Sequence, residues 1–384
     1  MSPSVPGTTA TAAGPRLVAG RGELSAAVTD ALCSGRPPAY DPETVLGADP
    51  WGEDLQLALY LLYELHYRGF EDVDDAREWD PDLLRLRQAL EGRFLHALRV
   101  ELAGAPRSVE SAFAPLLVEP VDLSESLSHY LETEGELWPL REYAALRSLY
   151  HLKEADPHVW AIPRLNGRAK AAMVAVEYDE FGAGRADRIH ARLFADLMTD
   201  LGLYPTYGRY LDRAPAALLA TVNLMSLFGL HRALRGALVG HFACVEVTSS
   251  PGSRRMAHAM RRCGAGPAAE RFYAEHVQAD AVHEQVVRHE VIGGLLADEP
   301  DLEPDVAFGC EATVLLEDRL AAHIRKAWGQ DRTALRTDAE VRECAAPAGR
   351  RRHREAGRPS DGRSAGAVQA ADRFHGGSAG PRAV

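Results

Sequence analysis

A chain of 384 residues, 46% of them hydrophobic, can bury a sizeable core in one large domain with extensions or in two domains. Its 43 Lys and Arg against 55 Asp and Glu give a formal net charge of −12, which opposes a general attraction to nucleic acid or anionic membrane and leaves a small molecule as the expected partner. The five cysteines, Cys33, Cys244, Cys263, Cys310 and Cys344, are scattered, odd in number and free of any CxxC pair, so they indicate neither a zinc knuckle nor a disulfide framework and suit a reducing cytosol.

Residues 1–20 are rich in Pro, Gly, Thr and Ala and are expected to be disordered. They lack an early positive charge followed by an apolar core, and no run in the chain approaches the ~18 uninterrupted apolar residues of a membrane span. A cytoplasmic location is the resulting expectation. From Glu23 to Trp328 the apolar residues recur at helical rather than alternating spacing, as in Leu55, Leu59, Leu62 and Leu65, then Leu83, Leu86, Leu90, Phe94 and Leu98, then the run Leu218 to Leu230. The chain is therefore read as all-α. An amino-terminal helical region over residues 21–120 is expected to pack on a core over 121–328, with Pro115, Pro120, Pro157, Pro163, Pro205, Pro251, Pro267 and Pro304 marking joints. After Gly329 the composition turns to Arg, Gly, Ala and Ser with almost no large apolar residue. Residues 329–384 read as a disordered basic tail, and a shifted reading frame in a GC-rich gene would look the same.

Chemistry concentrates in three places. His276, Asp280 and His283 spell HxxxDxxH in a stretch with no proline or glycine before Gly293, and offsets of zero, four and seven place them within ~60° of one helix face. Upstream, Asp187 and His190 repeat the DxxH spacing on a helix expected from about Ala186, beside Glu180 and the break Gly182-Ala183-Gly184, which leaves Glu180 free to swing toward the same locus. Glu154, in YHLKEADPH, is expected near the end of another helix closed by Asp156-Pro157. Taken singly, each acid reads as a solvated helix-end residue and each histidine as an ordinary hydrogen-bonding one. Acids and imidazoles gathered at one interior locus, however, demand a positive centre. Such donors suit iron or manganese, and their number suits two ions. Glu177, Asp179, Glu275, Glu284, His289 and Glu290 are close decoys, and spacing alone does not exclude Glu177.

The motifs LYELHYRGF (residues 62–70), YHLKEADPHVWAIPRL, EYDEFGAGRADRIHARLFADLM and EHVQADAVHEQVVRH together resemble the iron-containing redox enzyme family, the haem-oxygenase-like di-iron oxidases, over roughly residues 50–328. The resemblance implies a haem-oxygenase-like multi-helix bundle with extra amino-terminal helices and seven ligands, Glu154, Glu180, Asp187, His190, His276, Asp280 and His283, around two Fe²⁺ ions, with manganese also compatible. One ion would take Glu154, His190 and His283, the other Glu180, His276 and Asp280, with Asp187 between them. Glu64 and His66, two apart on different helix faces, read as packing residues instead. The implied activity is O₂ activation acting on a small organic substrate such as an amine, an amino acid or a fatty acid. With no GxGxxG or ferredoxin cysteine spacing, any reducing electrons would come from an external donor. A homodimer is compatible with the added helices. The competing reading is a metal-free helical-bundle binding protein or cofactor-independent enzyme of the same architecture. Haem would use one histidine and leave the acids unexplained.

Overall fold

The computed structural model describes residues 14–345, apart from the side chains of Gln278, Asp280 and Ala281 and those of residues 343–345. Helices account for the regular structure, and no strand occurs among the described residues. In chain order they are α1 (Glu23–Ser34), α2 (Pro42–Gly47), α3 (Glu53–Glu64), α4 (Pro81–Glu101), α5 (Val109–Phe113), α6 (Leu127–Thr133), α7 (Leu137–His151), α8 (Gly167–Glu180), α9 (His190–Asp200), α10 (Ala216–Leu230), α11 (Arg235–Arg262), α12 (Pro267–Val286), α13 (Gly293–Asp298), α14 (Glu303–Trp328) and α15 (Asp338–Ala345). The all-α reading holds, with extra helices preceding the bundle. No single described helix is long and apolar enough to cross a membrane.

The apolar pattern dictates the layering. Almost every residue of α10 is buried, because its sequence AALLATVNLMSLFGL offers no polar face to place in water. It therefore runs through the centre, against α3, α11 and α14. Helix α3 is buried continuously from Leu55 to Glu64, and its few polar atoms are paired: Asn223 Nδ2 on α10 donates to Gln56 O and Gln56 Oε1 at 2.8 Å each, and Gln56 Nε2 donates to Pro50 O at 2.6 Å. These bonds satisfy amides that burial would otherwise make costly.

Two glycines let α11 and α14 cross with their backbones in contact. A Cβ built on Gly240 of α11 would lie 1.9 Å from Val306 O, and one on Gly309 of α14 would lie 2.0 Å from Ala237 O. The backbones of α11 and α14 thus touch where no side chain fits, which seats α11 deeply enough to face α12 on its other side.

The chain packs beyond both limits set by composition. Val18 is buried, and its carbonyl accepts from Thr29 Oγ1 at 3.2 Å. Past Gly329, Glu142 of α7 gathers the Ala334 N–H and the Thr333 hydroxyl at 2.6 Å each, with Ala334 buried. A single acid with several donors thus anchors a segment that has few apolar residues, alongside the packing of Ala334 and Leu335 on the core. The remaining residues expected to be disordered, 1–13 and 346–384, lie outside the described residues.

A buried ion pair joins the amino-terminal helices to the bundle. Lys153 Nζ lies 2.5 Å from Glu64 Oε2, with 1% and 0% of the two side chains exposed. Glu64 also accepts from Tyr207 Oη at 2.8 and 2.9 Å, which fits the packing role expected for it. Replacing Lys153 by Met would leave that carboxylate buried without its cation, and we expect a loss of about 3–5 kcal/mol in urea unfolding. At the helix crossing, Gly309→Ala is expected to destabilise by about 1–3 kcal/mol as overpacking. Gly92→Ala, on the exposed face of α4 with nothing within 4 Å of the added Cβ, is expected to stabilise by about 0.5–1 kcal/mol in the same measurement.

Candidate metal centre

Five segments converge beside the α11–α12 pair. Helix α8 brings Glu177 and Glu180 to its last turn and stops there, because Gly182 (φ 75°), Ala183 (φ 51°) and Gly184 (φ 79°) take left-handed backbone. A Cβ on Gly182 would sit 2.7 Å from both Arg188 C and Ile189 N, so glycine is required for the chain to fold back on itself. After a short 3₁₀ turn at Ala186–Arg188, His190 opens α9. Helix α12 supplies His276 and His283, α11 supplies Glu246, and the end of α7 supplies His151 with Glu154 just beyond.

The tightest group is Glu180, Glu246 and His283, all buried, whose ligand atoms lie within 4.8 Å of one another. His283 Nδ1 is 3.2 Å from Glu246 Oε2 and 3.6 Å from Glu180 Oε1, and its Nε2 is 3.4 Å from Asp179 Oδ2. His190 Nδ1 lies 2.6 Å from Glu180 Oε2, off the line of a hydrogen bond. The ring of His276 lies tilted by 46° against that of His190, at a centroid distance of 4.5 Å. His276 Nδ1 is 2.7 Å from Phe272 O; since a carbonyl only accepts, Nδ1 carries the proton. Nε2 is then a lone pair, and it is buried with no hydrogen-bond partner among the described residues. This is how a metal-binding imidazole is usually held. On the far side, His151 Nδ1 lies 2.9 Å from Glu154 Oε2.

Electrostatics sharpen the picture. Burial, followed by the charges of Glu180 and Glu246, pushes the Glu177 carboxyl well above the usual range, and neither of its oxygens has a hydrogen-bond partner among the described residues. Burial likewise raises Glu246, with Glu180 adding to it against the opposing hydrogen bond from His283. Burial works against a charged His283, yet the hydrogen bond and charge of Glu246, then the charge of Glu180, outweigh it and raise the imidazole to about 9. For Glu154, burial is outweighed by the charge and hydrogen bond of His151 and then by His276 and His190, which hold the carboxyl below its ordinary value. Three buried acids and a fourth at a cavity wall therefore lie within electrostatic reach of one another. A bound cation would relieve their repulsion and occupy the lone pair of His276, and carboxylate with imidazole is a donor set that fits iron.

The placement of individual residues departs from the sequence pattern in several ways. Helix α7 ends at His151, so Glu154 sits in the following turn and not on the helix; the aspartate before Pro157 disfavours helical backbone, and Lys153 turns down to Glu64. Asp187 and His190 do not share a helix, because Ile189 is extended (ψ 129°) between them. The Asp187 side chain is 69% exposed and pairs with Arg185 at 3.2 Å, outside the cluster. Glu180 and His283, assigned to different ions in the partition above, stand 3.6 Å apart. Asp280 lies within α12, and its side chain is outside the described residues.

Two participants were not anticipated. Glu246 is a lone acid between Val245 and Val247 in an otherwise apolar stretch of α11, and that isolation was its sequence signal. His151 stands three residues before Glu154 in a motif already singled out. Glu177, which spacing alone does not exclude, is buried within electrostatic reach of Glu180 and Glu246. A cavity of ≈ 460 Å³ opens against this centre, with Tyr143, Arg147, His151, Glu154, Tyr273 and His276 along one wall. Phe194 is fully buried in the core, and Arg164 donates to the carbonyls of Gly229 and Leu230.

The family model described as iron-containing redox enzyme matches residues 141–318, a stretch from α7 to α14 that contains every member of the cluster. No curated protein matches the chain significantly. With an all-helical bundle and an acid-and-histidine cluster inside the matched region, the chain is similar over residues 141–318 to the iron-containing redox enzyme family.

Proposed function

We propose that this protein is an O₂-activating non-haem di-iron oxidoreductase acting on a small organic substrate held in the cavity beside Glu154 and His276. The observation that carries this reading is the gathering of Glu177, Glu180 and Glu246 in the interior beside His276, whose buried Nε2 lone pair has no hydrogen-bond partner among the described residues. Repulsion within an acid cluster of this kind is relieved by a bound cation. Glu180, Glu246 and His283 would hold one ion, and Glu154, His190 and His276 would hold the second. Bound iron would supply the electrons that reduce O₂ and the oxidising power directed at the substrate.

The protein's own contribution is position and exclusion of water. Phe272 O fixes the tautomer of His276, and the His151 contact keeps Glu154 ionised and oriented. Phe194 and Phe272 pack edge to face at 5.0 Å beside His151 and His276, walling that side of the centre with apolar surface and limiting access of bulk water. The cavity is of the size that holds a small organic molecule, and its mixed lining suits a substrate with both apolar and polar parts. Electrons beyond those stored at the centre would come from a separate donor.

Anaerobic titration of the metal-free protein with Fe²⁺ tests this directly. About two equivalents should bind, and admission of O₂ should give a transient visible absorption. His283→Ala and Glu246→Ala should each weaken iron retention by at least about 10–100-fold while leaving the far-ultraviolet helical signal unchanged. A wild-type protein that takes up no iron would instead favour the metal-free bundle reading.

A further inference from the structure

We propose that helix α3, outside the matched family region, helps build the metal centre: Glu64 is a positioning residue that acts through Lys153 to fix the turn presenting Glu154. This rests on the reading of Glu154 as an iron ligand. Glu154 is the one acid of the centre that helix geometry does not hold in place, since α7 stops at His151. Something else must fix the backbone of residues 152–156.

That backbone is clamped by the motif LYELHYRGF. Lys153 Nζ reaches Glu64 Oε2 at 2.5 Å while lying over the rings of Tyr67 at 4.2 Å and Tyr60 at 5.0 Å. One residue earlier, Leu152 O accepts from Arg68 Nη2 at 3.5 Å, and the Arg68 guanidinium stacks 4.0 Å from the ring of Tyr207. Tyr207 Oη in turn donates to Glu64, and Tyr67 Oη meets Ser226 Oγ of α10 at 3.2 Å. The clamp is therefore tied to the central helix of the bundle. With Lys153 drawn down to α3, the next side chain, Glu154, projects the other way toward His151.

The choice of a buried ion pair is informative. Well-packed apolar side chains of similar volume would hold α3 against this turn about as well, without the desolvation that two buried charges require. What apolar packing lacks is direction. A charged hydrogen bond fixes where Lys153 points, and through the backbone where Glu154 points, in the way that outer groups orient metal ligands.

The test is the double variant Glu64→Leu/Lys153→Met, which removes both charges together and leaves neither buried alone. Thermal melting and far-ultraviolet circular dichroism should remain near wild type, while anaerobic Fe²⁺ titration should show one of the two equivalents bound about 10–100-fold more weakly. Glu154→Ala should weaken the same equivalent, and adding it to the double variant should produce no further loss, the signature of residues acting through one another. Should the double variant lose helicity, Glu64→Gln, which keeps shape and hydrogen bonding but removes the charge, serves in the same titration. Wild-type affinity for both equivalents in a folded variant, or losses that simply add to those of Glu154→Ala, would overturn the proposal. If the wild-type protein binds no iron, the iron reading itself falls and the proposal falls with it.

Discussion

Like charges in a poorly polarisable interior repel strongly, and each carboxylate removed from water also forfeits its hydration. Glu177, Glu180 and Glu246 accept both penalties, and Glu154 adds a fourth acid at the cavity wall. In the metal-free protein part of the strain is relieved by protons: burial and its neighbours favour the neutral form of Glu177, while His283 is held charged between Glu246 and Glu180. Protons are a makeshift solution. Among the described residues they leave Glu177 without a hydrogen-bond partner and do nothing for the buried Nε2 of His276, whereas divalent cations would meet the charge of the acids and the lone pair of the imidazole at once.

The rest of the fold can be understood as the scaffold that makes this crowding tolerable. Apolar α10 and the glycine-mediated contact of α11 with α14 form a stiff interior, against which α12 and α9 hold their histidines. Just after His283, α12 passes into a π-helical segment, Val287–Ile292, a local widening that occurs often beside functional sites. The left-handed turn at Gly182–Gly184 lets α8 end at Glu180 and return as α9 with His190 at its first position. Two ligand candidates ten residues apart thereby face each other across 2.6 Å.

The amino-terminal helices are part of this scaffold. The buried Lys153–Glu64 pair and the Asn223–Gln56 amide contacts use directional bonds where apolar packing would have sufficed for stability. Directional bonds specify one arrangement among several of similar energy. Specification of this kind matters most for a turn such as 152–156, which has no helical hydrogen-bond ladder to define it.

Helicity, segment by segment, was legible because burial of one stripe or of a whole helix leaves a periodic mark, as in Leu83 to Leu98 of α4 and Leu218 to Leu230 of α10. The spacing of His276 and His283 was legible for the same reason, since positions seven apart on a continuous helix share a face. The same periodicity misplaced Asp187 and Glu154, because it assumes an unbroken helix and says nothing of a residue in extended backbone at Ile189 or of a lysine drawn toward a glutamate 89 positions away. Composition also misplaced the limit at 329, where hydrogen bonds to Glu142 add to the burial of Ala334. The sequence by itself determined that the chain is helical and which kinds of donor it carries. Only the tertiary structure decided that Glu246 joins the centre while Asp187 points to solvent, because a side chain's neighbours across helices depend on how the helices cross, and crossing is set by contacts between residues far apart in the chain.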